Sequence, residues 1–479
     1  MNPFTPLDLA VLLLYLAGVT AWGGWLGRNQ TSGTDYFLGN RELPWGAVML
    51  SVVATETSTL TFLSIPGVAY LGTLTFLQLT FGYLAGRIAV SLLLLPAYFR
   101  GELTTAYALL EGRFGIETRR FTSGIFMLTR LLADSVRLFA TAIPLALVTG
   151  WPYPVSIAVI GFLTLLYTYF GGIKAVVWVD ALQMGLYLVG ALVAAVVLQS
   201  LVPGGWAEIL ARSAEAGKLQ VLDWSLDPAV PYTVWAGVLG GGFLTMASHG
   251  TDQLIVQRLL TCKDLRASQK ALVGSALGVM VQFVIFLLVG LGLWVFYRGQ
   301  PFARSDEIFP LFIVQELPPG ITGLLIAGIF ASAMSSLSSS INSLASASAY
   351  DFWAPLAGAT EDEGRIFRAG RSFTLVWAAL LIGGAIVFIP LSRETSAVEV
   401  ALGIASVVYG GLLGAFGLGV LVERADQRSA ILGMLAGIGT VTTVWLTIPD
   451  QVAWPWFTPL GTGVTFLVGW AVGRRKGSP

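Results

Sequence analysis

Long apolar runs separated by short polar segments recur from one end of the chain to the other. A run of about 18 or more apolar residues is what a helix needs to cross the hydrocarbon core of a bilayer. The pattern predicts thirteen such helices, over residues 6–27, 45–72, 74–99, 121–149, 153–170, 175–201, 234–261, 270–297, 318–350, 371–391, 397–422, 427–448 and 456–473. The fold class that follows is an all-α polytopic membrane protein with one membrane domain. Polar segments of any length are few. Pro203 to Tyr232 reads as an outer loop, Gly299 to Pro319 as a second one holding a short helix (Ile308 to Glu316), and Thr104 to Phe114 as a short amphipathic helix. The first run, Leu7 to Leu26, lacks a basic leader and a small-residue cleavage site, so it is expected to stay as a helix.

Composition sharpens this picture. Of 479 residues 55% are hydrophobic and 11% charged, against roughly 25% charged in soluble domains. The single cysteine, Cys262, excludes an internal disulfide. Net charge is zero and no basic arm is present, which speaks against a nucleic-acid partner. With the N-terminus placed outside, nineteen of the 27 Lys and Arg residues fall in inner segments, Arg258 counted among them, and five in outer ones. By the positive-inside rule this predicts an outer N-terminus and a cytoplasmic C-terminus.

Charges within a bilayer are costly and face cavities or partners. Glu56, Arg87, Arg130, Asp134, Arg137 and Asp180 fall within spans, joined by the only histidine, His249. Arg130, Asp134 and Arg137 are spaced four and three apart, on one helix face. They form either a self-neutralising ladder or, with one positive charge left over, a contact for a substrate carboxylate. Glu56 sits in SVVATETSTLTFLSIPG, Ser51 to Gly67, where five consecutive polar residues and then Pro66 interrupt the span. Hydroxyl-rich runs compete for backbone hydrogen bonds. Non-helical backbone at this depth lines a cavity or is buried in protein, and a broken helix is the best sequence pointer to a transporter's binding site. His249 lies in a similar polar break, SHGTDQ, Ser248 to Gln253.

The segment FASAMSSLSSSINSLASASAYD, Phe330 to Asp351, carries nine serines inside a span. Ser332, Ser335, Ser336, Ser339, Ser343 and Ser346 fall on one side of a helical wheel. Small residues favour close helix packing, but a stripe of hydroxyls facing a broken helix also suits a hard cation, which prefers oxygen ligands.

Several motifs together resemble the sodium:solute symporter family. FGGIKAVVWVDALQ, Phe170 to Gln183, is similar to the family's signature, and DYFLGNRELPWG (Asp35 to Gly46), TDQLIVQR (Thr251 to Arg258), AMSSLSSSINS (Ala333 to Ser343) and VYGGLLGAFGLG (Val408 to Gly419) follow in the family's order. The resemblance implies a leucine-transporter-type fold of five-plus-five inverted repeats. These would span 45–201 and 234–422, after an extra helix at 6–27 and before two at 427–473. It implies a sodium site from the carbonyls of Ala54, Thr57 and Ser332 and the hydroxyls of Ser335 and Ser336. A second sodium would use Asp180, Ser338 and Ser339, although Val179 replaces the threonine usual beside that aspartate. Substrate contacts carried over are Glu56, Ser58 and Thr61 at the first break, Gln78 and Thr80 on the next helix, Arg130, Asp134 and Arg137, and Thr245, Ser248 and His249. The glucose transporters have aromatic residues at the last two positions, and this chain does not.

The expected function is therefore sodium-coupled symport of a small polar organic solute (an amino acid, a carboxylate or an acidic sugar) by alternating access, with Na⁺ and the solute as partners. The protein is expected in the lipid bilayer of the plasma or inner membrane, as a monomer and not as an enzyme. A proton-coupled transporter using Glu56, Asp134 or His249 is the alternative. A sensor is disfavoured because the chain reaches Pro479 without a kinase domain, and a leak channel by the lack of a filter-like repeated loop.

Overall fold

The computed structural model describes residues 4–57, 59–101, 103–302, 305–389 and 397–474, and no strand occurs among them. The helices that matter here are α1 (Pro6–Leu26), α2 (Trp45–Glu56), α3 (Thr59–Leu71), α4 (Gln78–Leu93), α5 (Ile116–Thr149), α6 (Tyr153–Leu201), α7 (Gly241–Gly250), α8 (Gln253–Leu260), α9 (Leu265–Phe296), α10 (Ile321–Ala347), α11 (Glu363–Phe388), α12 (Ala397–Leu421), α13 (Gln427–Thr447) and α14 (Phe457–Arg474). Seven helical stretches among the described residues are long and apolar enough to cross a membrane. Among the described residues, helix covers most of each predicted span. Residues 153–170 and 175–201 run on as one bent element, α6, whose kink is Gly172 at φ 51°, ψ −150°. A Cβ there would meet the Tyr36 carbonyl at 2.6 Å, so the bend requires glycine.

Polarity is distributed the opposite way from a soluble domain. Leu14, Leu92, Val196 and Leu446 are more than 60% exposed on the outer faces of their helices, while serines, glutamines and ion pairs fill the interior. Burial places the serine helix α10 at the centre, packed against α6, α1 and α5. Its N-terminus is capped from another element. Asp8 of α1 accepts hydrogen bonds from the Gly320 and Gly323 amides, 2.7 and 2.8 Å. A carboxylate there satisfies orphan N–H groups and suits the helix dipole.

Two helices are broken midway. α2 ends at Thr57 (φ −79°, ψ 84°) and α3 resumes at Thr59. α7 ends at Thr251 (φ −130°, ψ −11°), and Asp252 caps the start of α8 through the Leu254 amide at 2.9 Å. α4 crosses α7 at close range because Gly82 and Gly86 face Gly237 and Gly242; a Cβ on Gly86 would collide with the Gly242 carbonyl. Small residues at this spacing let membrane helices approach backbone to backbone. That approach brings the next residue, Arg87, to the first break.

Candidate functional site

The first break faces α10. Ser332 Oγ donates to the Thr57 carbonyl at 2.8 Å, and Ala54, Thr57, Ser332 and Ser335 are all buried. Thr57 is fixed in turn by its own hydroxyl, 2.8 Å from the Val53 carbonyl and 2.9 Å from Gln282 Oε1. Ser335 Oγ and Ser336 Oγ are shielded from solvent; Ser336 has no hydrogen-bond partner among the described residues, and Ser335 lies near Asp180 and the Tyr187 hydroxyl without a well-formed hydrogen bond to either. Buried hydroxyls are ordinarily paired, so two such hydroxyls one turn along the helix that meets the broken end of α2 through Ser332 fit an oxygen-liganded cation. Ser58 lies outside the described residues.

Asp180 on α6 is fully buried, and its environment shows what the sequence reading missed. Asp180 Oδ2 accepts from Ser51 Oγ at 2.7 Å and from the Arg258 guanidinium at 3.2 Å. Arg258, 1% exposed, also donates to Ser51 Oγ at 2.9 Å, to the Leu254 carbonyl at 2.5 Å and to Ser339 Oγ. One guanidinium thus joins α2, α6, α8 and α10. Its place in the inner positive count is corrected accordingly: Arg258 lies within the predicted span 234–261 and serves the interior. Of the oxygens expected for a second sodium, Ser339 is held by Arg258 and donates to the Ser335 carbonyl at 2.6 Å, and Ser338 donates to that carbonyl at 3.0 Å. Asp180 Oδ1 and the nearby α6 hydroxyl of Tyr187 make no well-formed hydrogen bond and have Ser335 as their common hydroxyl neighbour.

Glu56 is the acid of the first break. It pairs with buried Arg87 of α4, which also donates to Ser275 Oγ at 2.5 Å. His249 Nε2 lies 3.7 Å from Glu56, and His249 Nδ1 shares a 2.8 Å hydrogen bond with the Ser248 hydroxyl. The Glu56 side chain is 20% exposed, so free space adjoins this carboxylate. The α5 ladder forms as its spacing suggested. Asp134 lies 3.8 Å from Arg130 and 3.2 Å from Arg137, and it accepts from Ser340 of α10 at 2.5 Å. The expected surplus positive charge is absent, because Asp252 at the second break pairs with Arg130 and the Tyr409 hydroxyl donates to Asp252 at 3.0 Å. Arg130 is enclosed; Arg137, with a side chain 24% exposed, is the open end of the ladder. Asp252, like Arg258, falls inside a predicted span, and that position was the signal for both.

The remaining expected contacts divide. Thr245, buried, and half-buried Ser248 lie on α7 with His249, and half-buried Thr61 lies on α3. Gln78 is committed elsewhere: its amide donates to the Thr75 and Tyr232 carbonyls (3.1 and 2.9 Å) and accepts from the Asp223 amide, pinning the outer loop. The Thr80 hydroxyl is spent on the Leu77 carbonyl at 2.7 Å.

The whole chain has relatives. It is 31% identical to the sodium/sialic acid symporter NanT of Aliivibrio fischeri, over 98% of this chain and 93% of that protein. It is also 31% identical to the sodium/sialic acid symporter SiaT of Proteus mirabilis, over 91% and 89%. The human sodium-coupled monocarboxylate transporter 2 matches at 28% identity over 95% of this chain and 74% of its own. Among solved structures, the substrate-bound outward-open state of a Na⁺-coupled sialic acid symporter superposes with a TM-score of 0.88 at 29% identity, covering 98% of each chain. Mhp1, a nucleobase-cation-symport-1 family transporter, gives 0.58 at 14% identity over 93% of this chain and 95% of that one, and shares the leucine-transporter-type fold alone. The model of the Sodium:solute symporter family matches residues 36–437, and the chain belongs to that family as a sodium-coupled membrane transporter rather than an enzyme.

Proposed function

We propose that the protein imports a small carboxylate-bearing solute, of the acidic-sugar or monocarboxylate class, down the sodium gradient. The observation that carries the ion site is the pair of buried hydroxyls, Ser335 and Ser336, without well-formed hydrogen bonds on the helix that meets the broken end of α2 through Ser332. Sodium would be held there with the carbonyls of Ala54, Thr57 and Ser332. A second sodium would use Oδ1 of Asp180, with Ser338 and Ser339 as weaker contributors because both are engaged. The solute would lie between the two breaks, against Glu56, Thr61, Thr245, Ser248 and His249, with its carboxylate accepting hydrogen bonds from the open side of Arg137, whose charge Asp134 already balances. The names of the relatives support this class, since sialic acids and monocarboxylates share an anionic carboxylate.

In this reading thirteen helices cross the membrane, with the N-terminus outside and the C-terminus cytoplasmic. Residues 45–201 and 234–422 are inverted repeats, and the protein works as a monomer. The matching positions of the two breaks, each in the first helix of its repeat, support that division. Alternating access would rock the helices bearing the breaks against those bearing the serines. Sodium would bridge the two groups and favour the state in which they are closed on the ion, a shift that requires unequal affinity for the two states.

The test is uptake into proteoliposomes of N-acetylneuraminate, lactate and a neutral amino acid, under an inward sodium gradient and under a proton gradient without sodium. Sodium-driven uptake of one of the two acids supports the reading. Uptake that follows the proton gradient alone would replace it with proton coupling at Glu56 and His249.

A further inference from the structure

A cleft of about 440 Å³ opens at the charged end of α11, between Trp353, Phe373 and the residues Arg365, Arg368 and Ser372. Such a volume lies in the range of small-ligand sites. The two arginines are one turn apart and exposed, and among the described residues neither guanidinium forms an ion pair or a hydrogen bond. Arg365 is set over the Trp353 ring at 5.5 Å. The neighbouring carboxylates are turned to backbone amides and not to the guanidinium groups: Asp362 accepts from the Arg365 amide at 2.9 Å and Glu363 from the Thr34 amide at 2.6 Å. Arg371 faces away, over the Tyr169 ring at 4.0 Å. The cleft therefore presents two guanidinium groups that no carboxylate among the described residues pairs with directly, a hydroxyl and two aromatic walls.

Its position selects the ligand. From Ser372 onward α11 turns apolar, and Leu375, Val376 and Leu380 are 46, 50 and 44% exposed on its outer surface. An anion seated on the arginines would have a hydrocarbon-facing surface directly beneath it. Paired arginines favour phosphate oxygens, and basic pockets at the ends of membrane helices bind anionic headgroups. We propose that this cleft is a binding site for an anionic phospholipid, with the phosphate on Arg365 and Arg368 and an acyl chain along Leu375, Val376 and Leu380. The proposal is independent of the solute and sodium sites.

Native mass spectrometry of the full chain, released from detergent with phosphatidylglycerol or phosphatidylcholine of identical acyl chains, tests it. Wild type should retain phosphatidylglycerol selectively. The double variant Arg365→Gln/Arg368→Gln should lose roughly 25-fold in affinity for it, about fivefold per arginine, while its sodium-dependent thermal stabilisation stays as in wild type. Equal retention of the two lipids by wild type would overturn the proposal without any variant, and unchanged retention by the double variant would place the lipid elsewhere. Displacement of phosphatidylglycerol by inorganic phosphate at equal concentration would reassign the cleft to soluble anions and also overturn it.

Discussion

Replacing Arg258 by Met removes the cation that faces Asp180 at 3.2 Å and, among the described residues, leaves a carboxylate of 0% exposure with neutral hydroxyls, Ser51 and Thr55 among them. Breaking a buried ion pair from one side typically costs about 3–5 kcal/mol, because an uncompensated charge remains. Asp180→Asn should cost a comparable amount by stranding the guanidinium. The double variant Arg258→Met/Asp180→Asn strands neither charge, and neutral replacement of a buried pair is often close to costless. It should therefore be more stable than either single variant, so the coupling energy exceeds a single penalty and is at least about 3 kcal/mol. Equilibrium unfolding of the four proteins in mixed micelles measures this cycle. Penalties that add to within about 0.5 kcal/mol would show that the pair does not act as a unit, and the role assigned to Arg258 as the junction of α2, α6, α8 and α10 would fall.

Other consequences can be measured separately. Asp8→Ala should lower stability by about 0.5–2 kcal/mol through the lost cap on α10, without altering the sodium concentration that gives half-maximal uptake; an altered sodium dependence would mean that the capped end couples to the ion. Arg137→Gln should raise the KM for a carboxylate solute roughly 10- to 100-fold, the loss expected for a hydrogen bond to a charged group, and equal KM values in uptake assays would move the carboxylate off α5. Gly86→Val should separate α4 from α7, cost about 1–3 kcal/mol by overpacking and weaken solute binding through Arg87. Unchanged binding in a stable variant would uncouple that crossing from the site.

Much of this architecture was legible because a bilayer leaves a chain few choices. Apolar length marked the helices, and the polar run at 55–59 marked the first broken one, since polar backbone at that depth has to face protein or a cavity, whereas Pro66 lies within the continuous helix α3. The serine stripe of α10 was visible by periodicity, and Ser332 does reach the Thr57 carbonyl. What the sequence concealed was pairing between distant helices. Asp252 neutralises Arg130 across 122 positions, and Arg258 reaches Asp180 across 78. Periodicity describes one helix at a time and is blind to such partners. Gln78 misled for a related reason: its polarity is real, but the chain spends it on the outer loop.

The claim on which the rest depends is that the buried hydroxyls of α10 hold sodium. Thermal unfolding of wild type and Ser336→Ala in NaCl, KCl and choline chloride at equal ionic strength tests it directly, because a ligand that binds the native state raises stability by mass action. The account predicts a sodium-specific rise in wild type that the variant requires at least tenfold more sodium to reach, with equal stability of the two proteins in choline chloride. The same sodium-specific rise at the same concentration in both proteins would contradict it and leave Ser336 a packing residue.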